Sequence, residues 1–558
     1  MGDRVRDEPA LEPDLCGVSD PDSDEILYWS PRNSRRSKNS RVLLPVALGD
    51  DWTEIMARAA TYGRSMFHTD FFRVFAVVLG INYAEKNLRF LIFHRGGLTS
   101  HRELALDKRE GREAVLRLIM TLLLWSDPTH AGLMSVSNEV GFLLPGSSGS
   151  PVLVAADKVI HDSTCIRGRG TRVFRLSCDP PNGVPVPRSS ATNLVNGTQN
   201  GEEKYLNGGL IAPIIPNPLF PLNLSQWSSP INSTHIHSDG KPNILKASWQ
   251  VDERKDTETK MYAAADGAFG TPAVVCSFEG THPNGSSISD SLLLPTAQDL
   301  ESGACRYLSI FTRTTVSPIP ERRTLYITVF DSVGQSLIHA ESSYDFCIAL
   351  VHSLLGWLSY YQTGFLHRDV SIGNVLLAVG GSRTSKTSFS VECPASSSSN
   401  DQGDSVQAYA DSIRDLARNL NIKSEFAAFI TDGDMAVDWR TYFENNDHKT
   451  KYGTPEFMSL AIHNAVDLNM PYLHSPIDDL ESFFWVSLWA VLLNKHVREP
   501  SALEIKLKAD IVQARFELKA SIVMRLEGSL LIPAQHSTVG NALFPLLRSW
   551  WLMQRVAA

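Results

Sequence analysis

The strongest chemical signal in the chain is His367-Arg368-Asp369, followed after four residues by Asn374. Short apolar runs on both sides predict that this stretch is a polar loop between two strands. An Asp on such a loop can accept the proton of an attacking hydroxyl, and a nearby Asn can bind the metal ion that accompanies a nucleotide. A plain surface loop is the alternative. The spacing favours phosphoryl transfer, with Asp369 as the base and Asn374 as a metal ligand.

A second carboxylate for the metal should follow on a hydrophobic strand. The stretch Phe429-Ile430-Thr431-Asp432-Gly433-Asp434 has this pattern. Taken alone, an Asp-Gly-Asp is more often a turn or a fragment of a calcium loop. Its order after the loop of Asp369 favours a metal site, so Asp432 is predicted to be a catalytic residue and a metal ligand.

The elements around the loop match the order found in protein kinases, whose catalytic loop is H-R-D-x-x-x-x-N. Apolar residues at helical spacing predict a buried helix before the loop, with a start signal at Ser342-x-x-Asp345. The stretch 451–458 resembles the end of an activation segment. Asp479 opens a later apolar helix, where it would cap the backbone of the loop or act as a simple helix-start carboxylate.

Two threonines near that segment, Thr450 and Thr454, are candidate regulatory phosphosites. His367 would brace the catalytic loop with its ring. The guanidinium of Arg368 would bind a phosphorylated threonine. His367, Arg368 and Asp479 would support the loop without touching the substrate.

A kinase also needs a lysine for the phosphates, a glutamate to hold that lysine, and glycines over the nucleotide. Lys246 is predicted to end a short strand, and Glu258 follows in a helix-like stretch. Gly168 and Gly170 are predicted to form a turn between strands, with Val173 on the second strand. These three are candidates for nucleotide contact, although a two-glycine pattern is a weak signal. A solvated lysine, a surface glutamate and an ordinary hairpin are the alternatives.

Composition and patterning divide the chain into four predicted parts. They are a disordered tail with a basic cluster (1–42), an α+β extension (43–162), a small lobe with a polar insert at about 179–240 (163–335), and a larger helical lobe with a polar insert at about 380–405 (336–558). The stretch Ile327–Val333 would be a hinge whose backbone binds adenine.

Charge and cysteine content exclude several classes of protein. The 52 Lys and Arg against 61 Asp and Glu give a net charge of −9, which argues against a nucleic-acid binder. Seven cysteines without a C-x-x-C pair argue against a disulfide scaffold and a structural zinc site, so we expect an intracellular protein, cytoplasmic or nuclear. No membrane partner is expected, because no apolar run reaches the ~20 residues of a membrane span. The basic residues between Arg32 and Arg41 are a solvated charge run or a nuclear-import signal.

The motifs resemble one family in particular, the fungal-type protein kinases. The likeness rests on HRDVSIGNVLL, on Asp-x-Asp-x-Ala at 432–436, on GTPEFM, on HSPIDDLESFFWVSLW, on GRGTRVF and ILKASW, and on the block from Trp52 through FHRGGLTS. It covers most of residues 43–495. It implies an α+β bilobal protein-kinase-like fold, with a small mostly β N-lobe, a larger helical C-lobe and an α+β N-terminal extension. It also implies ATP and Mg²⁺ as cofactors and transfer of the γ-phosphoryl group to serine or threonine of a protein substrate.

Three residues depart from the common kinase pattern. Ser371 stands where most serine/threonine kinases have a lysine, although this serine is usual in the resembled family. Gly433 replaces a bulky apolar or aromatic residue. Ala461 stands where a glutamate would anchor the activation segment through an ion pair with an arginine.

The departures leave two main hypotheses and a third. The first is an active protein kinase, and the second is a pseudokinase that acts as a binding scaffold with weak or no phosphoryl transfer. A small-molecule kinase of related fold is the third, and the activation-segment motif argues against it.

Overall fold

The computed structural model describes part of the chain, and the statements below concern that part alone. It comprises residues 15–19, 28–31, 41–69, 73–123, 131–132, 141–145, 151–163, 166, 168–177, 243–280, 286–308, 321–379, 383–386, 389–391, 400–445, 453–496, 502–527 and 538–557. The fold mixes helices and sheets, in agreement with the α+β class expected from the sequence.

The described elements are numbered in chain order. The strands are β1 (Leu15–Ser19), β2 (Tyr28–Pro31), β3 (Arg41–Gly49), β4 (Phe75–Asn82), β5 (Asn87–His94), β6 (Gly97–His101), β7 (Leu104–Ala105), β8 (Gly141–Pro145), β9 (Pro151–Asp162), β10 (Arg172–Ser177), β11 (Asn243–Val251), β12 (Val274–Glu279), β13 (Cys305–Leu308), β14 (Arg323–Phe330), β15 (Gly334–Ser336), β16 (Phe365–Leu366), β17 (Val375–Ala378), β18 (Arg383–Thr384), β19 (Glu425–Phe426), β20 (Ala428–Ile430) and β21 (Val437–Asp438). The helices are α1 (Trp52–Thr69), α2 (Arg109–Leu123), α3 (Thr257–Ala264), α4 (Ala297–Glu301), α5 (Ser343–Gln362), α6 (Asn400–Asn419), α7 (Trp439–Asn445), α8 (Leu460–Asp467), α9 (Pro476–Leu492), α10 (Ala502–Val512), α11 (Phe516–Glu527) and α12 (Thr538–Ala557).

The chain divides into two compact units. The first comprises Met1–Glu253 and Val275–Val329, and the second comprises Arg254–Val274 and Phe330–Ala558. The chain passes from the first unit to the second for the last time between residues 329 and 330. This position lies within the stretch predicted to be a hinge.

The first unit contains an eight-stranded sheet in the order β13-β6-β5-β4-β3-β1-β2, with β7 beside β5. Strands β3 and β4 are parallel and α1 is their crossover, as a parallel pair requires. Apolar residues recur at helical spacing along α1. Its Ile55, Ala59 and Met66 pack into a core with Leu91 and Phe93 of β5.

A second sheet of the first unit has the order β12-β14-β11-β10-β9-β8. Its core lies on one face, where Phe174 of β10, Leu245 and Ala247 of β11 and Leu325 of β14 are buried together. Strand β9 ends at Asp162 and pairs with β10. Strands from both sides of the predicted boundary at residues 162 and 163 therefore form one sheet.

In the described part of the second unit, helices α5 and α9 each contain many buried residues. Helix α5 begins where the sequence predicts, because the side chain of Ser342 accepts the N–H of Asp345. Helix α9 begins with Pro476 after a capping box formed by Ser475 and Asp478, and most of its residues are buried. A three-stranded sheet, β15-β17-β20, and the strand pair β16-β21 lie in the same unit.

Two predicted irregular stretches contain regular elements. Strands β1 and β2 lie within the predicted tail. Strand β1 pairs with both β2 and β3, and this backbone pairing outweighs a polar composition. Strand β18 and the start of α6 lie within the predicted insert at 380–405, and α6 buries Ala410 and Ala417 on one face. The insert at 179–240 and the basic residues 32–38 lie outside the described residues. Within the described part of the chain, no helix combines the length and the apolar character that a membrane span needs.

Candidate active site

Lys246 lies in the first unit, in the middle of β11 rather than at a strand end as the sequence predicts. Its direct neighbour across the ladder is Val173 of β10, so the two side chains share one face of the sheet. Leu245 and Ala247 point to the opposite face and enter the core. Because side chains alternate between the two faces along β11, the buried ammonium of Lys246 lies on the face opposite the apolar core.

The glycine loop precedes β10 in the same unit. Gly168 and Gly170 have positive φ angles of 107° and 47°, which favour glycine. A Cβ at residue 170 would lie 2.4 Å from the guanidinium of Arg95, whose carbonyl accepts the N–H of Gly168 at 2.9 Å. Arg95 itself lies over the ring of Phe67. The glycines thus allow the loop to pack closely on an arginine of the predicted extension.

The loop that carries Asp369 lies in the second unit between β16 and β17, as the flanking apolar runs predict. Nδ2 of Asn374 donates to the carbonyl of Asp369 at 2.7 Å, which leaves Oδ1 of the amide as the atom suited to a metal ion. The N–H of Thr431 donates to the carbonyl of Asn374, and the ring of His367 bonds the carbonyl of Thr431. These bonds join the loop to the strand that leads to Asp432.

Asp479, at the start of α9, binds the backbone of this loop. Its carboxylate accepts the N–H groups of His367 at 3.1 Å and Arg368 at 3.0 Å, the indole N–H of Trp357 at 2.9 Å and Nε2 of His474 at 3.1 Å. Arg368 has a φ of 65°, a conformation that these two amide bonds help to hold. Burial alone would raise the pKa of Asp479, but the hydrogen bonds from His474 and Trp357 and the electrostatic influence of His474 and His367 outweigh it and keep the pKa below its ordinary value.

Asp369 is buried and already contacts a hydroxyl. Its Oδ1 accepts the hydroxyl of Thr454 at 2.7 Å and the N–H of the same residue at 2.9 Å. A phosphate on Thr454 would remove this donor and repel the carboxylate, so we expect modification there to inhibit. The guanidinium of Arg368 lies over the ring of Tyr442, and Thr450 lies outside the described residues.

Three carboxylates cluster beside the loop in the second unit. Ligand oxygens of Glu258, Asp432 and Asp434 all lie within 4.8 Å of one another. Asp432 has a φ of 70°, a backbone conformation that is costly for a residue other than glycine. Carboxylate oxygens are the ligands that Mg²⁺ prefers. The donor set therefore fits the metal expected from the sequence.

Tyr262 connects the two ends of this cluster. Its hydroxyl donates to Oε1 of Glu258 at 2.9 Å, accepts the N–H of Asp432 at 2.9 Å and lies 3.0 Å from Oγ1 of Thr431. Burial, with smaller contributions from Glu258 and Asp432, raises the pKa of Tyr262 well above its ordinary value. The phenol thus stays neutral and holds the glutamate of α3 against the segment after β20 that carries Asp432.

Met261 explains the glycine at position 433. A Cβ on Gly433 would lie 2.2 Å from Cε and 2.7 Å from Sδ of Met261, which is fully buried. The side chain of α3 therefore occupies the space that a bulky residue at position 433 would need. The departure noted in the sequence is thus matched by a neighbouring helix.

The predicted site residues form groups within the two units. Gly168, Gly170, Val173 and Lys246 belong to the first unit. The second unit brings together Glu258 with Asp432, and separately Asp369 with Asn374, His367, Arg368 and Asp479.

Sequence analysis missed Tyr262 and Met261. They follow Glu258 on one short helix, where a tyrosine and a methionine look like ordinary core residues. A signal was available, since Gly433 requires some other side chain to fill its place. Thr454 was assigned to regulation by modification, although in the structure its hydroxyl bonds Asp369.

The comparisons with known proteins agree with the motifs. No curated protein matches the chain. Residues 233–491 match the family described as fungal protein kinase, and this region contains Lys246, Glu258, Asp369, Asn374 and Asp432. Over residues 233–491, the match confirms the resemblance to the fungal-type protein kinases that the motifs indicate.

Proposed function

We propose that this protein is an ATP-dependent protein kinase of bilobal fold that transfers the γ-phosphoryl group to a serine or threonine hydroxyl of a protein substrate. One observation carries the proposal. Asp369, held on a loop fixed by Asp479, accepts an aliphatic hydroxyl at 2.7 Å. That is the interaction a base must make with an attacking alcohol.

Each proposed role follows from residue chemistry. Asp369 would orient the substrate hydroxyl and accept its proton as the oxygen attacks the γ-phosphorus, and ADP would leave. Lys246 would bind the α- and β-phosphates with Glu258 as its partner, and the glycine loop with Val173 would contact the nucleotide. Asn374 and Asp432 would hold Mg²⁺, which when bound neutralises charge on the phosphates.

The family match supports ATP and a protein substrate, and the preference for serine and threonine rests on the resemblance. The hydroxyl beside Asp369 is itself that of a threonine. The cysteine pattern supports a place inside the cell, in the cytoplasm or the nucleus.

A pseudokinase scaffold is the second candidate, and the glycine at position 433, the alanine at position 461 and the two long polar inserts favour it. Met261 weakens the first argument, because it fills the space beside Gly433. The metal-binding and base residues are all present in either case.

Two linked measurements separate the candidates. We expect ATP to raise the melting temperature of the full chain in the presence of Mg²⁺, and Asp432→Asn to abolish the Mg²⁺-dependent part. We also expect transfer of label from γ-labelled ATP to dephosphorylated casein. Nucleotide binding without transfer would identify the scaffold, and neither binding nor transfer would contradict both.

A further inference from the structure

Side chains from three helices hold the segment that begins with Thr454. Nζ of Lys519, on α11, donates to the carbonyls of Glu456 at 3.1 Å and Met458 at 2.5 Å. His463 of α8 donates through Nε2 to the carbonyl of Pro455 at 2.6 Å. A carboxylate oxygen of Glu481, on α9, accepts the N–H of Leu460 at 2.7 Å. We call Lys519, His463 and Glu481 the segment anchor.

The anchored segment is a tight turn that leads directly to the proposed base. The carbonyl of Thr454 accepts the N–H groups of Phe457 at 2.8 Å and Met458 at 3.1 Å. The hydroxyl and N–H of the same threonine bind Asp369. The contacts of Lys519 with the carbonyls of Glu456 and Met458 therefore fix the turn whose first residue touches the carboxylate.

The amino group of Lys519 is enclosed by groups that it can contact. None of its surface is exposed, and its Nζ lies 4.2 Å from the ring centroid of Trp485. The indole N–H of Trp485 donates to the carboxylate of Glu481 at 3.0 Å, which keeps an acidic group near the lysine. A buried lysine is costly unless its donors are used, and here two are used on this turn.

This anchor accounts for the missing glutamate at position 461. Ala461 is exposed and has no charged group to offer. Contacts that an ion pair would supply come instead from hydrogen bonds to the backbone of the segment. Lys519 also lies beyond residue 491, where the match to the kinase family ends.

We propose that Lys519 is a positioning residue for the protein substrate: by binding the carbonyls of Glu456 and Met458 it sets the turn that places Thr454 against Asp369. This inference rests on the proposed kinase function. The region after the family match thus contributes directly to the substrate-binding surface.

The test compares Lys519→Met with Lys508→Met, which removes an exposed lysine from the neighbouring helix α10. In Lys519→Met we expect the KM for dephosphorylated casein to rise about tenfold, while the KM for ATP changes less than about twofold. We also expect hydrogen exchange of the peptide 454–460 to speed up about tenfold, with exchange of α5 unchanged. Lys508→Met should match the wild type in all readouts.

A purely structural lysine would lower the melting temperature and leave both KM values and the exchange of 454–460 unchanged, which would overturn the proposal. Faster exchange with an unchanged KM for casein would also overturn it. If Lys519→Met does not fold, Lys519→Gln, which keeps a donor for one carbonyl, replaces it in the same comparison. If the wild type transfers no phosphate, the kinase function fails, and the exchange data alone decide whether Lys519 holds the turn.

Discussion

Two buried ionisable side chains of the second unit, Asp479 and Lys519, each hold a backbone segment in place. They differ in how strongly their hydrogen bonds offset the effect of burial on the pKa. Asp479 holds the catalytic loop and is surrounded by N–H donors, which keep its pKa below the ordinary value despite complete burial. Lys519 holds the turn after Thr454 with two carbonyls and an indole face, and burial lowers its pKa to about 7. Well-matched hydrogen bonds keep the first charge fixed at neutral pH, whereas the second group titrates there.

The comparison predicts that loss of Asp479 is the more damaging change. Asp479→Asn would replace one of the two accepting oxygens with an NH₂ group, which cannot accept a hydrogen bond. Buried N–H groups that now donate to the carboxylate would then be unsatisfied. We expect the free energy of unfolding to fall by about 3 kcal/mol and phosphoryl transfer to be lost. Urea denaturation and a labelled-ATP assay measure these effects.

Asp467→Asn, at the exposed end of α8, is the control and should stay within about 0.5 kcal/mol of the wild type. An Asp479→Asn variant as stable as this control would show that the hydrogen bonds to Asp479 are not what hold the loop.

The low pKa of Lys519 predicts a pH-dependent stability. Between pH 7 and about 10 the unfolded lysine keeps its proton while the folded one loses it, so stability rises with pH across this window. The slope of the free energy of unfolding should approach about 1.4 kcal/mol per pH unit well above pH 7. Below pH 7 both states are protonated and Lys519 contributes no slope.

Two other titratable groups, Glu481 and His463, lie near Lys519. Burial raises the pKa of Glu481 above its ordinary 4.5, and burial together with Lys519 lowers the pKa of His463 below its ordinary 6.5. Melting curves from pH 7 to pH 9 on the wild type and Lys519→Met isolate the lysine. Parallel curves for the two proteins would contradict the titration.

Tyr262 belongs with Asp479 in this comparison, because its hydroxyl is also surrounded by partners. Tyr262→Phe removes the hydrogen bonds to Glu258 and Asp432. We expect the free energy of unfolding to fall by about 1–2 kcal/mol. We also expect ATP binding to depend several-fold less on Mg²⁺. Tyr360→Phe is the matched control, since this buried phenol makes one longer bond, 3.4 Å, to the carbonyl of Ile430. Equal effects of the two variants on Mg²⁺ dependence would count against the role of Tyr262.

The smallest expected effect concerns apolar packing at the same place. Gly433→Ala would press a methyl group against Met261, and we expect a cost of about 1 kcal/mol because the end of the methionine can move. Met261→Ala combined with Gly433→Ala should recover part of the loss caused by the glycine substitution. Purely additive losses in this double-mutant cycle, measured by denaturation, would show that the two residues do not compete for space.

The position of the loop that carries Asp369 could be predicted from the sequence, whereas the segment anchor could not. His367, Asp369, Asn374 and Asp479 lie next to strong apolar runs, and such runs fix which strand or helix presents a polar residue. Lys519 and Tyr262 look like ordinary helix residues, and their partners come from distant segments that only the folded chain brings together. Strands β1 and β2 were missed for the same reason, since β1 pairs with β3 and β2 pairs with β1.

The most direct test of the account compares phosphoryl transfer by the wild type and by Asp369→Asn in the presence of Mg²⁺ and labelled ATP. The asparagine can still bond the hydroxyl of Thr454 but cannot accept a proton, so we expect kcat to fall by about 100- to 10,000-fold while the Mg²⁺-dependent thermal shift with ATP persists. Transfer by Asp369→Asn at the wild-type rate would contradict the assignment of Asp369 as the base.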